Sequence, residues 1–112
     1  MLRSFRYAFN GILALFKNEN NAKFHLLATV IVLLLGFYLK LSAIEWTIIL
    51  TQIGKVLAME AANSSIEKLC DFVSSEHQKI IGKVKDLAAA AVLIVSIFAA
   101  IVGIIIFLPK VF

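Results

Sequence analysis

From Leu87 to Leu108 the chain runs for 22 residues without a charged side chain. A helix needs about 20 mostly apolar residues to cross the hydrocarbon core of a bilayer, so this run predicts a membrane span over 86–108. Its composition agrees: 62% of the 112 residues are hydrophobic, only 16% are charged, and the mean hydropathy is +0.97. A water-soluble domain of this length buries only about 60% of its unfolded surface and could not hide that much apolar area. Lipid is the missing solvent.

A second uncharged stretch, Phe24 to Leu39, predicts a span over 24–41, with Lys40 and Ser42 at its far end. A third helix is predicted over 44–73, with Trp46 at an interfacial position. It is longer than the hydrocarbon requires, so its last turns, with Glu67, Lys68 and Asp71, should project into water. Residues 18–25 read as a polar break and 74–85 as a polar loop, and Pro109 is expected to end the last span. Ahead of these, Leu2, Phe5, Phe9, Ile12, Leu13 and Phe16 recur at helical spacing opposite Arg3, Arg6, Asn10 and Lys17. This predicts an amphipathic helix over 2–20 lying in the membrane surface. It lacks the continuous apolar stretch and small-residue cleavage site of a signal peptide. The fold class is thus an all-α membrane protein, one domain over 1–112, with a surface helix and three spans.

The net charge of +4 does not point to nucleic acid, because the basic residues flank apolar runs. Arg3, Arg6, Lys17 and Lys23 precede the first span, and Lys68, Lys79, Lys83 and Lys85 lie between the second and third. Lys40 and Lys110 stand on the other side. The positive-inside rule then places the N terminus and the 68–86 region in the cytoplasm. The single cysteine, Cys70, allows no intrachain disulfide and reads as a small packing residue.

The polar residues that need an explanation are on the second span. On a helical wheel Glu60, Asn63, Ser64, Glu67 and Asp71 fall within an arc of about 100°. Solvation at a helix end accounts for Lys68 and Asp71. It does not account for Glu60, whose neighbours are Met59, Ala61 and Ala62. A carboxylate at membrane depth costs at least a few kcal/mol and marks function. Two carboxylates a turn or two apart can divide labour: a desolvated one suits a general base, and one nearer water suits magnesium. Asn63 between them can orient a hydroxyl or a phosphate oxygen, and Lys83 and Lys85 supply positive charge for a transferring phosphoryl group. No glycine-rich phosphate loop is present. These features leave open phosphoryl transfer and proton or ion transport.

The string Glu60-x-x-Asn63-Ser64-x-Ile66-Glu67-x-x-x-Asp71, with Lys85-Asp86 after it, closely resembles the signature of the prokaryotic diacylglycerol kinases, which include undecaprenol kinases. Ser4-Phe5, Ala8, Gly11 and Asn18-Glu19 fit the same pattern, so the resemblance covers nearly the whole chain. It implies a homotrimer in the bacterial inner membrane, with ATP as co-substrate, Mg2+ as cofactor, and diacylglycerol or undecaprenol as acceptor. Diacylglycerol, yielding phosphatidic acid, is the first expectation. By position, Glu60 is the implied base and Asn63 supports the reacting centre. Glu19 and Glu67 are the implied magnesium ligands, and Lys85 with Asp86 faces the γ-phosphate. Glu76 matches a position near adenosine, and Asn18, Ser64 and Asp71 match polar active-site positions. The chain departs from the family at three points. Gln78 stands where the loop histidine often falls, one position after His77; Val84 replaces an alanine; and Lys55 lies where the second span is usually apolar. His25, at the mouth of the first span, is expected to be interfacial, without a substrate role.

A small proton-coupled exporter is the competing class, since such proteins also embed a glutamate. They usually have four spans with the acid in the first, whereas here three spans are predicted with the acid in the second. A non-catalytic helical adaptor gives no reason for Glu60, Asn63 and Glu67 to share a face.

Overall fold

The computed structural model describes residues 1–73 and 79–112. Every described element is an α-helix: α1 (Leu2–Asn18), α2 (Asn20–Tyr38), α3 (Ala43–Val73) and α4 (Lys79–Val111). The polar break expected over 18–25 shrinks to one residue. Glu19 closes α1, with its N–H 3.1 Å from the Leu15 carbonyl, and opens α2, with its carbonyl 3.1 Å from the Lys23 N–H. The next turn stays helical, and Ala22 within it is fully buried.

The α2–α3 connection is built from two capping devices. Lys40 takes a left-handed conformation, φ 56°. The Leu41 N–H reaches the Gly36 carbonyl at 3.1 Å and the Lys40 N–H reaches that of Phe37 at 3.4 Å, the bond pattern of a Schellman cap. Two residues on, the Ser42 N–H donates to Glu45 Oε1 at 2.9 Å and the Glu45 N–H donates to Ser42 Oγ at 3.2 Å. This reciprocal capping box starts α3 at Ala43. The two helices meet closely at Gly36: a Cβ there would lie 2.6 Å from Trp46 Cη2. Trp46 also packs on Phe37, ring centroids 4.9 Å apart.

Helix α4 exceeds the predicted span at both ends. Residues 79–85 are helical rather than loop, because Ile80, Ile81 and Val84 form an apolar stripe beside Lys79 and Lys83. Nor does Pro109 end the helix, which continues to Val111. Proline's fixed φ is compatible with a helix, and its missing N–H costs one main-chain bond while its ring crowds the carbonyl one turn before it. Lys110 then pairs with Glu45 at 3.0 Å, tying the far end of α4 to the start of α3.

The most extensive packing is α3 against α4, with α2 along α3 and α1 across both α2 and α3. Large apolar side chains nevertheless face outward on every helix, among them Phe9, Leu27, Leu34, Phe98 and Ile105. Bare apolar surface on this scale belongs in lipid. Threonine hydroxyls in these helices bond to their own backbone: Thr47 to the Ala43 carbonyl at 2.9 Å and Thr51 to that of Thr47 at 2.7 Å. Among the described residues two helices, α2 and α4, are long and apolar enough to cross a membrane. Helix α3 has the length but carries the polar stripe. Along α1 only Leu15 is buried, leaving its apolar face with Phe5, Phe9 and Ile12 uncovered.

Candidate active site

Ile49, Val56, Glu60, Asn63, Ser64 and Cys70 are the buried residues of α3. They recur at helical spacing, so Glu60 occupies a position in the apolar seam that α3 turns toward its neighbours. It is 2% exposed, with Asn63 and Ser64 at 8% each. Glu67 is half-buried and Asp71 exposed. The stripe therefore begins in the packed interior and emerges at the end of α3.

Three elements bring further groups to it. From α2, His25 Nε2 lies 3.2 Å from Glu60 Oε1. From the joint between α1 and α2, Glu19 Oε1 accepts from Lys68 Nζ, one residue past Glu67. From α4, Lys85 Nζ donates to Asp71 Oδ1 at 2.6 Å. That hydrogen bond holds the Lys85 ammonium above the usual lysine pKa of 10.5, so its charge persists through neutral pH. Within α3, Asn63 Nδ2 donates to Glu67 Oε1 at 3.3 Å, while the buried Asn63 Oδ1 has no partner among the described residues.

One cavity opens beside His25 and another beside the stripe. One, of about 590 Å³, runs between α2, α3 and α4, from His25 and Val56 past Gln52 and Ser96 toward Val111. A smaller one, of about 330 Å³, lies between α1 and α3, where Glu19, Ser64 and Lys68 meet Ala8 and Gly11.

Glu19 and Glu67 are the side chains that could hold a magnesium ion. Magnesium uses one or two protein carboxylates and takes its remaining ligands from water and phosphate. Glu19 and Glu67 are two such groups: Asn63 orients one and Lys68 holds the other. Among the described residues no group of three or more histidine, cysteine, aspartate or glutamate side chains is placed to hold a metal ion.

The sequence profile of the prokaryotic diacylglycerol kinases matches residues 6–107. The chain belongs to the prokaryotic diacylglycerol kinase family. Undecaprenol kinase of Bacillus subtilis is 39% identical over 108 residues, covering 96% of this chain and 88% of its own length. Diacylglycerol kinase of Haemophilus influenzae is 29% identical over 102 residues, covering 91% and 86%, and that of Escherichia coli K12 is 29% identical over 101, covering 90% and 83%. Membership of this kinase family removes the exporter and adaptor readings.

Of the residues predicted to form this family's site, Glu60, Asn63, Ser64 and Glu67 share one inner face, Glu19 reaches it through Lys68, and Lys85 meets Asp71. Asn18 and Asp86 are exposed. Glu76 and His77 lie outside the described residues. Lys55 faces outward, and no ion pair among the described residues engages it. Two contacts were not foreseen. Lys68 follows Ser64 by one turn, so the wheel already placed it at the edge of the stripe. His25 gave no such signal, because its partner lies 35 positions away on another helix.

Proposed function

We propose that this protein transfers the γ-phosphoryl group of ATP to the hydroxyl of a membrane lipid alcohol, with Glu60 as general base. The observation that carries this reading is the burial of Glu60 within the seam of α3, beside a long apolar cavity, in a chain of this kinase family. Glu60 takes the hydroxyl proton as the lipid oxygen bonds to phosphorus. The bond from phosphorus to the bridging oxygen breaks, and ADP leaves with the electron pair. Asn63 and Ser64 orient the reacting groups. Glu19 and Glu67 hold Mg2+, which neutralises charge on the phosphate oxygens when bound. Lys85, steadied by Asp71 and flanked by Asp86, faces the γ-phosphate. Asn18 lines the approach, and Glu76 serves the adenosine end.

Diacylglycerol, giving phosphatidic acid, is the acceptor that the signature resemblance puts first. The 39% identity with an undecaprenol kinase, against 29% with two diacylglycerol kinases, favours undecaprenol. The assembly is a homotrimer of three-span subunits in the bacterial inner membrane, with the N terminus and the site in the cytoplasm, as the basic flanks indicate.

Purified protein given labelled ATP, Mg2+ and the two lipids in competition should label undecaprenol ahead of diacylglycerol. Label on neither lipid alcohol would overturn the kinase reading; preference for diacylglycerol would reverse only the acceptor. Replacing Glu60 by Gln should lower turnover by about 10² to 10⁴, the usual worth of a general base.

A further inference from the structure

We infer that His25 is a positioning residue for Glu60, holding one carboxylate oxygen so that the other faces the acceptor hydroxyl. The inference rests on Glu60 being the base. The two side chains come from different helices and meet at 3.2 Å, His25 Nε2 to Glu60 Oε1, an ion-pairing distance. The side chains are 19% and 3% exposed, so water competes little for the contact. A buried carboxylate needs polar partners. His25 is the partner that the described residues supply to Glu60.

The two carboxylate oxygens thereby acquire different surroundings. Oε1 lies against the imidazole, and Oε2 is the oxygen assigned to the acceptor hydroxyl. Phe24 meets the ring edge to face, centroids 5.8 Å apart, and Thr29 Oγ1 donates to the backbone carbonyl of His25 at 2.8 Å, one turn along α2.

His25 also lines the 590 Å³ cavity, whereas Glu60 does not. An alcohol whose chain lies along that cavity passes the imidazole on its way to the carboxylate. A residue placed between base and cavity sets the angle at which the base meets the hydroxyl. An error of about 1 Å in such placement can cost about 100-fold in rate.

The test compares His25→Ala, His25→Gln and Glu60→Gln in the full-length protein. In His25→Gln the side-chain amide nitrogen can donate from nearly the same reach as Nε2. His25→Ala should lower kcat about 10- to 100-fold with the KM for ATP unchanged. His25→Gln should recover most of that loss, and both variants should melt as the parent does. Nitrogen NMR of the His25 ring should show a changed signal in Glu60→Gln. Full kcat in His25→Ala, equal impairment of the Ala and Gln variants, or an unmoved ring signal would each overturn the role of His25. If Glu60→Gln is inactive while His25→Ala is normal, the inference fails alone. If Glu60→Gln turns over normally, the base assignment falls and the inference falls with it.

Discussion

Lys85 and Asp71 form an ion pair at the watery end of the stripe, where a surface pair by itself adds little stability. Its worth lies in placing a cation. Lys85→Ala should lower kcat about 100-fold, the scale of removing one donor to developing charge. Asp71→Asn should cost less, and nothing more in the Lys85→Ala background, because it acts through the same ammonium. The pH profile supplies a second check. Asp71 raises the pKa of Lys85, so the ammonium is present at neutral pH and lost as pH climbs through the raised value. Asp71→Asn should move the alkaline limb of the rate profile to lower pH; an unmoved limb would mean that Lys85 does not set it. At this scale the sequence was readable where residues share one helix. Glu60, Asn63, Ser64 and Glu67 lie on one face because the helical period puts them there. The reach of His25 to Glu60, and of Glu19 to Lys68, depends on how helices pack, and no local period encodes it.

At the scale of elements, the α2–α3 corner concentrates the tightest contacts. Gly36→Ala would drive a methyl group into the Trp46 ring. Overpacking of this kind costs about 1–3 kcal/mol, so the variant should melt earlier than the parent. Lys40→Gly should act oppositely, gaining about 1 kcal/mol by relieving a left-handed residue that carries a side chain. Thermal unfolding in one detergent reads both, and a Gly36→Ala melt at or above that of the parent would show that Trp46 can move aside. The sequence predicted the start of α3 within a residue, and Ser42 with Glu45 spells the capping box that fixes it. It misjudged 18–25 and 79–85 because polar composition was taken for absence of helix. Asn20, Asn21 and Lys23 are polar yet helical, since Ala22 anchors their turn in the core. Pro109 misled for the reverse reason: a strong breaker near a terminus has few bonds left to break.

At the scale of the molecule, the bare apolar surface must be covered by lipid or by further copies of the chain. The proposed trimer predicts a three-subunit species on cross-linking in native membranes. The proposed topology predicts that a reporter after Phe112 is active only outside the cytoplasm. A cytoplasmic C terminus would leave an even number of crossings, and α3 would then have to lie elsewhere than across the bilayer.

With Glu19 as the whole joint between α1 and α2, the chain has no slack at that point. One alanine inserted after Asn18 would advance α1 by about 100° around its axis relative to everything that follows. Phe5 and Phe9 would turn together away from the direction they now face, and Ala8 and Gly11 away from the cavity they share with Ser64 and Lys68. Spacing here is as binding as identity: evolution can exchange residues on either side of this joint more readily than it can add or remove one.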